Sequence, residues 1–140
     1  MKALASFVMA GLLLAVPAMA QFEHIATANV PFAFTAGTKQ FPAGECIIKY
    51  SASQSVVLLQ STEGHVASLQ MTIPMDNGNR QGNPQLVFHR YGSEVFLAEV
   101  WGEGGYRHRL YETSAEREIA RRFGQPGQTV LTHATKSSNQ

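Results

Sequence analysis

QLVFHRYGSEVFLAEVW, residues 85–101, predicts the β-hairpin around which the fold is organised. Gln85 to Tyr91 and Glu94 to Trp101 are rich in β-branched and aromatic residues, and Gly92-Ser93 between them suits a two-residue type II′ turn. Pairing across that turn sets three pairs of residues opposite one another: Tyr91 and Glu94, His89 and Phe96, and Phe88 and Leu97.

Both faces of this hairpin carry apolar side chains. Because side chains alternate along a strand, the first face holds Leu86, Phe88, Val95 and Leu97. The second face holds Val87, Phe96, Ala98 and Val100. A strand pair that is apolar on both faces is usually covered on both. We expect the first set to form the core face of the hairpin.

Alternating or apolar runs before the hairpin predict further short strands. They cover residues 29–35, 45–50, 55–60 and 65–73. Turn-forming residues separate them at 41–44 and 62–64, and residues 74–84 form a polar loop. The pattern predicts an all-β, mainly antiparallel domain, either a small sandwich or a barrel of six to seven strands with one C-terminal helix.

The helix begins after Thr113. Glu116, three residues later, completes a capping box, and Gly124 ends the helix. An apolar stripe with i, i+4, i+8 spacing follows one side: Ala115, Ile119 and Phe123. Residues 125–140 are rich in Ser, Thr and Gln and are predicted to be a disordered tail.

Residues 1–20 predict a secretory signal peptide. Lys2 supplies the positive start, residues 3–16 are apolar, and Ala18-Met19-Ala20 is a small-x-small cleavage site, so we expect cleavage before Gln21. The apolar run is shorter than the ~20 residues that span a bilayer. The expected product is one β-rich domain, residues 21–124, with no transmembrane segment, in the periplasm or outside the cell.

Composition excludes several classes of protein. The chain has 140 residues, of which 44% are hydrophobic and 15% charged, with a net charge of +1. It is too apolar for a disordered protein and too weakly basic for a dedicated nucleic-acid binder. Its one cysteine excludes a disulfide framework. Cys46 alternates with Ile48 and Tyr50, which predicts a buried structural thiol.

No residue of the sequence is predicted to be catalytic, metal-binding or cofactor-binding. The five histidines show no metal-binding spacing, and His24, His108 and His133 are expected in termini or loops. G-x-S-x-G is absent and Asp76 is the single aspartate. The sequence also clusters five arginines, at positions 107, 109, 117, 121 and 122. This cluster predicts either a solvated face whose charge is balanced by glutamates or a surface that docks to anionic envelope material.

The possible binding surface consists of His89, Arg90, Tyr91, Glu94 and Phe96. Of these, His89, Tyr91 and Phe96 lie together on the second face of the hairpin, with Glu94 paired beside Tyr91. This surface is either a second core layer or an exposed aromatic patch suited to a glycan or a partner chain. A second core layer is favoured, because the apolar stripe of the helix needs a surface on which to dock.

An ordered set of short motifs carries a resemblance. The set is NVPFAF at 29–34, FPAGE at 41–45, LVFHRYG at 86–92, FL at 96–97, VW at 100–101 and SAERE at 114–118. Over residues 29–122 the chain resembles a family of small, uncharacterised exported proteins common in soil bacteria of the acidobacterial type. Cys46 departs from the tyrosine expected there. The resemblance implies export and a β-rich domain, and it implies no activity.

The first functional hypothesis is a non-enzymatic interaction or structural module of the bacterial envelope, with an envelope protein or a glycan as partner. The second is a carrier that holds an apolar ligand inside a small barrel, and the third is a small hydrolase. A closed barrel with an apolar cavity of ~300 Å³ or more would favour the carrier. Titratable groups clustered in a cleft would favour the hydrolase.

Overall fold

The computed structural model describes residues 22, 24–51, 55–76, 84–102, 106–131 and 135–136. The predicted signal peptide and its cleavage site lie outside these residues. The elements in this part of the chain, in order, are β1 (His24–Val30), β2 (Phe34–Ala36), β3 (Lys39–Phe41), β4 (Gly44–Tyr50), β5 (Val56–Ser61), β6 (Ala67–Asp76), β7 (Gln85–Tyr91), β8 (Glu94–Trp101), β9 (Tyr106–Leu110), α1 (Ser114–Phe123), β10 (Gly127–Leu131) and β11 (Thr135–Lys136).

The strands form one open, largely antiparallel sheet. Its main path runs β10-β7-β8-β9-β6-β5-β4-β1-β11. The β2–β3 hairpin lies off this path and pairs with β8 in parallel, through Thr35 and Phe96. A mainly β fold with a C-terminal helix is therefore confirmed. The predicted number of strands, six to seven, is too low. One reason is that the strand predicted at 29–35 is divided: β1 ends at Val30, before Pro31, and β2 begins at Phe34.

The closed-barrel alternative is wrong. Closure requires the two ends of the path to pair with each other. In the described residues the end strands are β10, which pairs with β7, and β11, which pairs with β1. Both strands fall within residues 125–140, where the sequence predicts a disordered tail, so that prediction missed their pairing. Ser, Thr and Gln suggested disorder, but edge strands gain backbone hydrogen bonds whatever their side chains.

A single cluster of buried apolar side chains forms the core. It draws on β1, β2, β3, β4, β5, β7, β8 and β9. Leu86, Phe88, Val95 and Leu97 all belong to it, which confirms the predicted core face of the hairpin. The predicted pairs across the turn are also confirmed, from Tyr91 with Glu94 to Phe88 with Leu97.

A β-bulge in this hairpin changes one predicted orientation. The register shifts between Val87 and Phe88, so that Val87 pairs with Glu99 and Ala98 is the extra residue of β8. Beyond the extra residue the alternation of β8 is reversed. Val100, expected on the second face, therefore joins the core cluster.

Helix α1 has the predicted ends but a different buried side. The Thr113 Oγ1 accepts a hydrogen bond from the Glu116 backbone N–H at 3.2 Å, and Gly124 has φ +75°. The stripe of Ala115, Ile119 and Phe123 is not the buried side of the helix: Ala115 is exposed, 59% of Phe123 is exposed, and Ile119 is half-buried. The buried residue of the helix is Glu116.

Cys46 lies in the core, as predicted, and is 2% exposed. Burial raises the pKa of its thiol from 9.0 to about 11, against a smaller lowering by a backbone hydrogen bond at Gln60. Thiol reagents attack the thiolate. At pH 8 we therefore expect the native protein to react about a hundredfold more slowly than the unfolded chain in urea. Absorbance after addition of an aromatic disulfide measures both rates, and equal rates would show that Cys46 is accessible.

Candidate functional site

A cleft lies between helix α1 and the outer face of β7–β9 and has a volume of about 880 Å³. We call it the α1 cleft. Its lining residues are Ile73, His89, Tyr91, Leu97, Ala98, Arg109, Leu110, Tyr111, Glu112, Glu116, Ala120, Gly124, Gln125, Pro126 and Gln128. The cleft therefore has an apolar wall from the sheet and polar groups from the segments on either side of the helix. Clefts of this kind and size are typical small-ligand sites.

The floor of the cleft holds a buried carboxyl group. The side chain of Glu116 is 10% exposed. Tyr91 Oη donates a hydrogen bond to Glu116 Oε1 at 3.4 Å, and His89 Nδ1 lies 3.6 Å from the same oxygen. Strand β7 positions both partners, since His89 and Tyr91 are two residues apart and share a face.

Burial raises the pKa of Glu116 above 4.5. His89 and the hydrogen bond from Tyr91 act in the opposite direction, and the charge of Glu112 adds to the raising. Burial also raises the pKa of Tyr91 above 10.0, with Glu116 and Glu112 contributing. The floor of the cleft thus holds a carboxyl group that keeps its proton to a higher pH than a solvated carboxyl group does.

The rim of the cleft is formed by three exposed residues, of which the sequence analysis named only Arg109, as a member of the arginine cluster. Tyr111 is 59% exposed, and Arg109 and Glu112 are also exposed. They lie on β9 and on the short segment that leads from β9 into α1. A ligand in the cleft would therefore meet a tyrosine ring and charges of both signs before it reaches Glu116.

The five residues of the predicted binding surface are divided between three places. His89 and Tyr91 line the α1 cleft, and Phe96 is buried with its ring 5.9 Å from that of Tyr91. This part of the second face is a covered layer. Arg90 lies on the other side of the sheet, with its guanidinium 5.3 Å from the centre of the Phe32 ring. Glu94 lines a separate pocket of about 410 Å³ beside the turn.

Two of the five clustered arginines form ion pairs with glutamates of the described chain. Arg122 pairs with Glu118 on the helix at 3.2 Å. Arg107, on β9, lies 4.1 Å from the centre of the Trp101 ring and 3.2 Å from Glu99. These two arginines therefore have acidic partners within the chain, as the balanced face predicts.

Glu116 is the residue that sequence reasoning assigned to a different role. Its spacing from Thr113 predicted a capping box, in which the glutamate side chain turns back to the N-cap backbone. Only half of that motif forms. The backbone N–H of Glu116 donates a hydrogen bond to Thr113 Oγ1, but the side chain of Glu116 accepts one from Tyr91 instead of turning back to the N-cap backbone. One signal was present in the sequence, since Tyr91 and His89 were both assigned to the face on which a helix should dock.

The chain matches no protein-family model, no curated protein and no solved structure. Within the described ranges, no three His, Cys, Asp or Glu side chains are grouped closely enough to bind a metal ion. The helix found in those ranges is too short and too polar to cross a membrane. Function must therefore be inferred from the α1 cleft itself.

Removing the hydroxyl of Tyr91 tests the docking of the helix on the sheet. Because this hydroxyl donates to the buried carboxyl of Glu116, we expect Tyr91→Phe to lower the free energy of unfolding by about 0.5–1.5 kcal/mol. Tyr111→Phe is the matched control and should change the free energy by less than about 0.5 kcal/mol, since Tyr111 is exposed. Urea denaturation followed by circular dichroism measures both, and equal effects would contradict the assigned contact.

Proposed function

We propose that this chain is an exported, non-enzymatic binding module that holds a glycan in the α1 cleft. The observation that carries the proposal is the buried carboxyl group of Glu116 at the floor of an open cleft of about 880 Å³. Burying a carboxyl group costs free energy unless its partners compensate. Its two contacts in the described chain are long, at 3.4 and 3.6 Å, so a ligand that hydrogen-bonds to it would supply stabilisation the protein lacks.

The composition of the cleft favours a polyhydroxylated ligand. A sugar hydroxyl both donates and accepts hydrogen bonds, and the cleft offers acceptors on Glu116 and Glu112, donors on Arg109, and both on the amides of Gln125 and Gln128. The apolar wall, which includes Leu97 and Ala98, suits the C–H face of a sugar ring. An aliphatic ligand would leave these polar groups unpaired.

A sandwich-like arrangement of the sheet fits this role. Leu131 in β10 and Thr135 in β11 are four residues apart in sequence, so their Cα atoms lie within about 15 Å of each other. The two ends of the main path are therefore close in space, which fits a sheet that curves around the core cluster. A sheet that curls around filled space supports binding on its outer face, under α1, rather than inside a barrel.

Export is part of the proposal and is supported by residues 1–20, with their apolar run and small-x-small site. In the periplasm or outside the cell, glycans of the envelope and of other organisms are the abundant polyhydroxylated polymers. Sequencing the N-terminus of the purified protein tests this part. A start near Gln21 supports export, and an intact Met1 contradicts it.

A hydrolase is the second candidate. The observation that favours it is the cluster of titratable groups in the cleft, where Glu116, His89 and Tyr91 meet and the pKa of Glu116 is raised. Carboxyl groups with raised pKa values are typical general acids. Glycoside hydrolysis requires a second carboxyl across the scissile bond, and Glu112 is the other one in the cleft.

Titration with soluble tetrasaccharides, followed by two-dimensional ¹H–¹⁵N NMR, tests the proposed function. With N-acetylglucosamine, glucosamine and glucose tetramers as probes, we expect at least one to shift the backbone amides of residues 109–128. Amides around the 410 Å³ pocket, such as those of Gln40 and Ser93, serve as the internal control. Tyr111→Ala should weaken binding at least tenfold with little change in stability, because its ring is at the rim.

Three outcomes would count against this proposal. Shifts confined to the 410 Å³ pocket would move the site away from α1. No shift with any probe at millimolar concentration would contradict glycan binding. Cleavage of a tetrasaccharide during the titration, lost in Glu116→Gln, would replace the binding module with the hydrolase.

A further inference from the structure

The α1 cleft holds two carboxyl groups, that of Glu116 at its floor and that of Glu112 at its rim, where Arg109 also lies. Glu112 raises the pKa of Glu116, so the two carboxyl groups are within electrostatic range of each other. The protein groups that lower the pKa of Glu116 are His89 and Tyr91. Among the described residues, no lysine or arginine forms an ion pair with either Glu112 or Glu116.

Glu116 also has an oxygen atom without a protein partner. Its contacts with Tyr91 and His89 both use Oε1. No residue of the described chain donates a hydrogen bond to Oε2. Oε2 is not one of the fully buried side-chain atoms that lack a partner, so it is open to the cleft, where a carboxylate oxygen can accept a hydrogen bond from a bound group. Since Glu116 lines the cleft, a bound ligand is the group positioned to supply one.

We propose that the ligand of the α1 cleft is an amino sugar with a free ammonium group, which donates to Glu116 Oε2. This inference rests on the proposed glycan-binding function and names the class of sugar. A primary ammonium group has three donors and no acceptor, so it matches an acidic floor. It also brings the positive charge that Glu116 and Glu112 lack. The exposed ring of Tyr111 at the rim can receive a second ammonium group of the same oligosaccharide on its face.

Other classes of sugar fit the floor less well. A uronic acid or a phosphorylated sugar would bring a negative charge beside Glu116 and Glu112, which like-charge repulsion disfavours. An N-acetylated amino sugar has a single N–H donor and no charge, so a buried carboxylate would remain uncompensated. Arg109 is exposed at the rim, where it can pair with ring hydroxyls without neutralising Glu116.

Comparison of two tetrasaccharides that differ in acetylation tests the inference. The probes are the glucosamine tetramer and the N-acetylglucosamine tetramer, titrated calorimetrically into the purified protein in 0.15 M salt, at a pH where the free amines are protonated. Salt at this concentration, ~0.15 M, screens non-specific attraction between exposed charges. We expect the glucosamine tetramer to bind at least tenfold more tightly.

Two variants locate the ammonium group. Glu116→Gln keeps the shape of the side chain and removes its charge, so it should weaken binding of the glucosamine tetramer at least tenfold and abolish the preference over the N-acetylated probe. Glu118→Gln is the matched control and should bind as the unmodified protein does, because Glu118 is solvent-exposed and pairs with Arg122. Circular dichroism establishes that both variants are folded. If Glu116→Gln fails to fold, Glu112→Gln should reduce the preference in the same direction.

The outcomes separate this inference from the proposed function. If both tetramers bind equally in the α1 cleft, the glycan-binding function stands and the amino-sugar class is wrong. If neither tetramer nor the glucose tetramer binds, the proposed function itself fails. If the preference for the glucosamine tetramer persists in Glu116→Gln and Glu112→Gln, the ammonium group binds elsewhere and the inference is overturned.

Discussion

Replacement of Phe88 by alanine is expected to lower the free energy of unfolding by about 3–5 kcal/mol. Phe88 is fully buried at the centre of the hairpin. Its ring meets those of Phe32 and Phe34 edge-on, with centroid distances of 5.0 and 5.2 Å. The substitution removes these aromatic contacts and leaves a cavity that the surrounding strands can fill only in part. Urea denaturation monitored by circular dichroism measures the loss as a lower midpoint with an unchanged slope.

Phe123→Ala provides the matched control for Phe88→Ala. Its ring is 59% exposed and lies against Gly92 at the hairpin turn. We expect a loss of less than about 1 kcal/mol, because little apolar surface is removed from water there. A loss at Phe88 as small as that at Phe123 would mean that the hairpin is peripheral and that the core lies elsewhere.

The hairpin could be predicted from the sequence because residues close together in the chain determine its turn and its register. Gly92 has φ +60°, a conformation that suits glycine in a tight turn, and the turn fixes the register of the residues next to it. The bulge at Ala98 was not predictable in the same way. It changes which side of the sheet Val100 faces, and nothing in the apolar run around it distinguishes a bulged strand from a regular one.

The candidate site was only partly predictable because it depends on contacts distant in sequence. The ends of α1 were evident from Thr113 and Gly124, which act locally. Its buried side was not, because apolar spacing pointed to Ile119 and Phe123, whereas the sheet offers Glu116 a hydroxyl and an imidazole from a strand 25 residues away. Hydrophobic periodicity cannot detect a helix whose buried residue is polar.

His108 is a second case, and it predicts a pH dependence. It was expected in a loop, yet it lies in β9 and is 2% exposed. Its Nδ1 lies 3.0 Å from Thr72 Oγ1, the Tyr50 ring is 5.9 Å away, and its Nε2 is buried without a hydrogen-bond partner in the described chain. Burial lowers the pKa of His108 from 6.5. A proton added to this side chain would create an uncompensated charge in the core.

We therefore expect acid to destabilise the protein through His108. The unfolded chain binds this proton at pH values near 6.5, and the native protein only at lower pH because its pKa is lowered. The stability contributed by neutral His108 is thus present above pH 6.5. It is lost as the pH falls towards the native pKa, at up to about 1.4 kcal/mol per pH unit. Urea denaturation at pH values between 4.5 and 7.5 measures this loss.

Glu116 is expected to oppose His108 in the same range. Its native pKa is raised above 4.5, so the native protein binds this proton more tightly than the unfolded chain does. The resulting stability is present at low pH and is lost as the pH rises through the native pKa. Glu116 acts from pH 4.5 up to its native pKa, and His108 acts from pH 6.5 down to its native pKa. Where these ranges overlap the two residues act with opposite sign, and the unmodified protein shows only their difference.

Two substitutions separate these contributions. His108→Asn removes the titrating group and keeps a polar atom for Thr72, so the stability of this variant, relative to the unmodified protein, should improve progressively as the pH falls from 6.5. Glu116→Gln should show the reverse, a steeper loss in acid, because the opposing carboxyl is gone. Differences between variants cancel the contribution of the remaining carboxylates. If His108→Asn follows the pH profile of the unmodified protein, the imidazole is already solvated in the native state and the site assigned to it in the core is wrong.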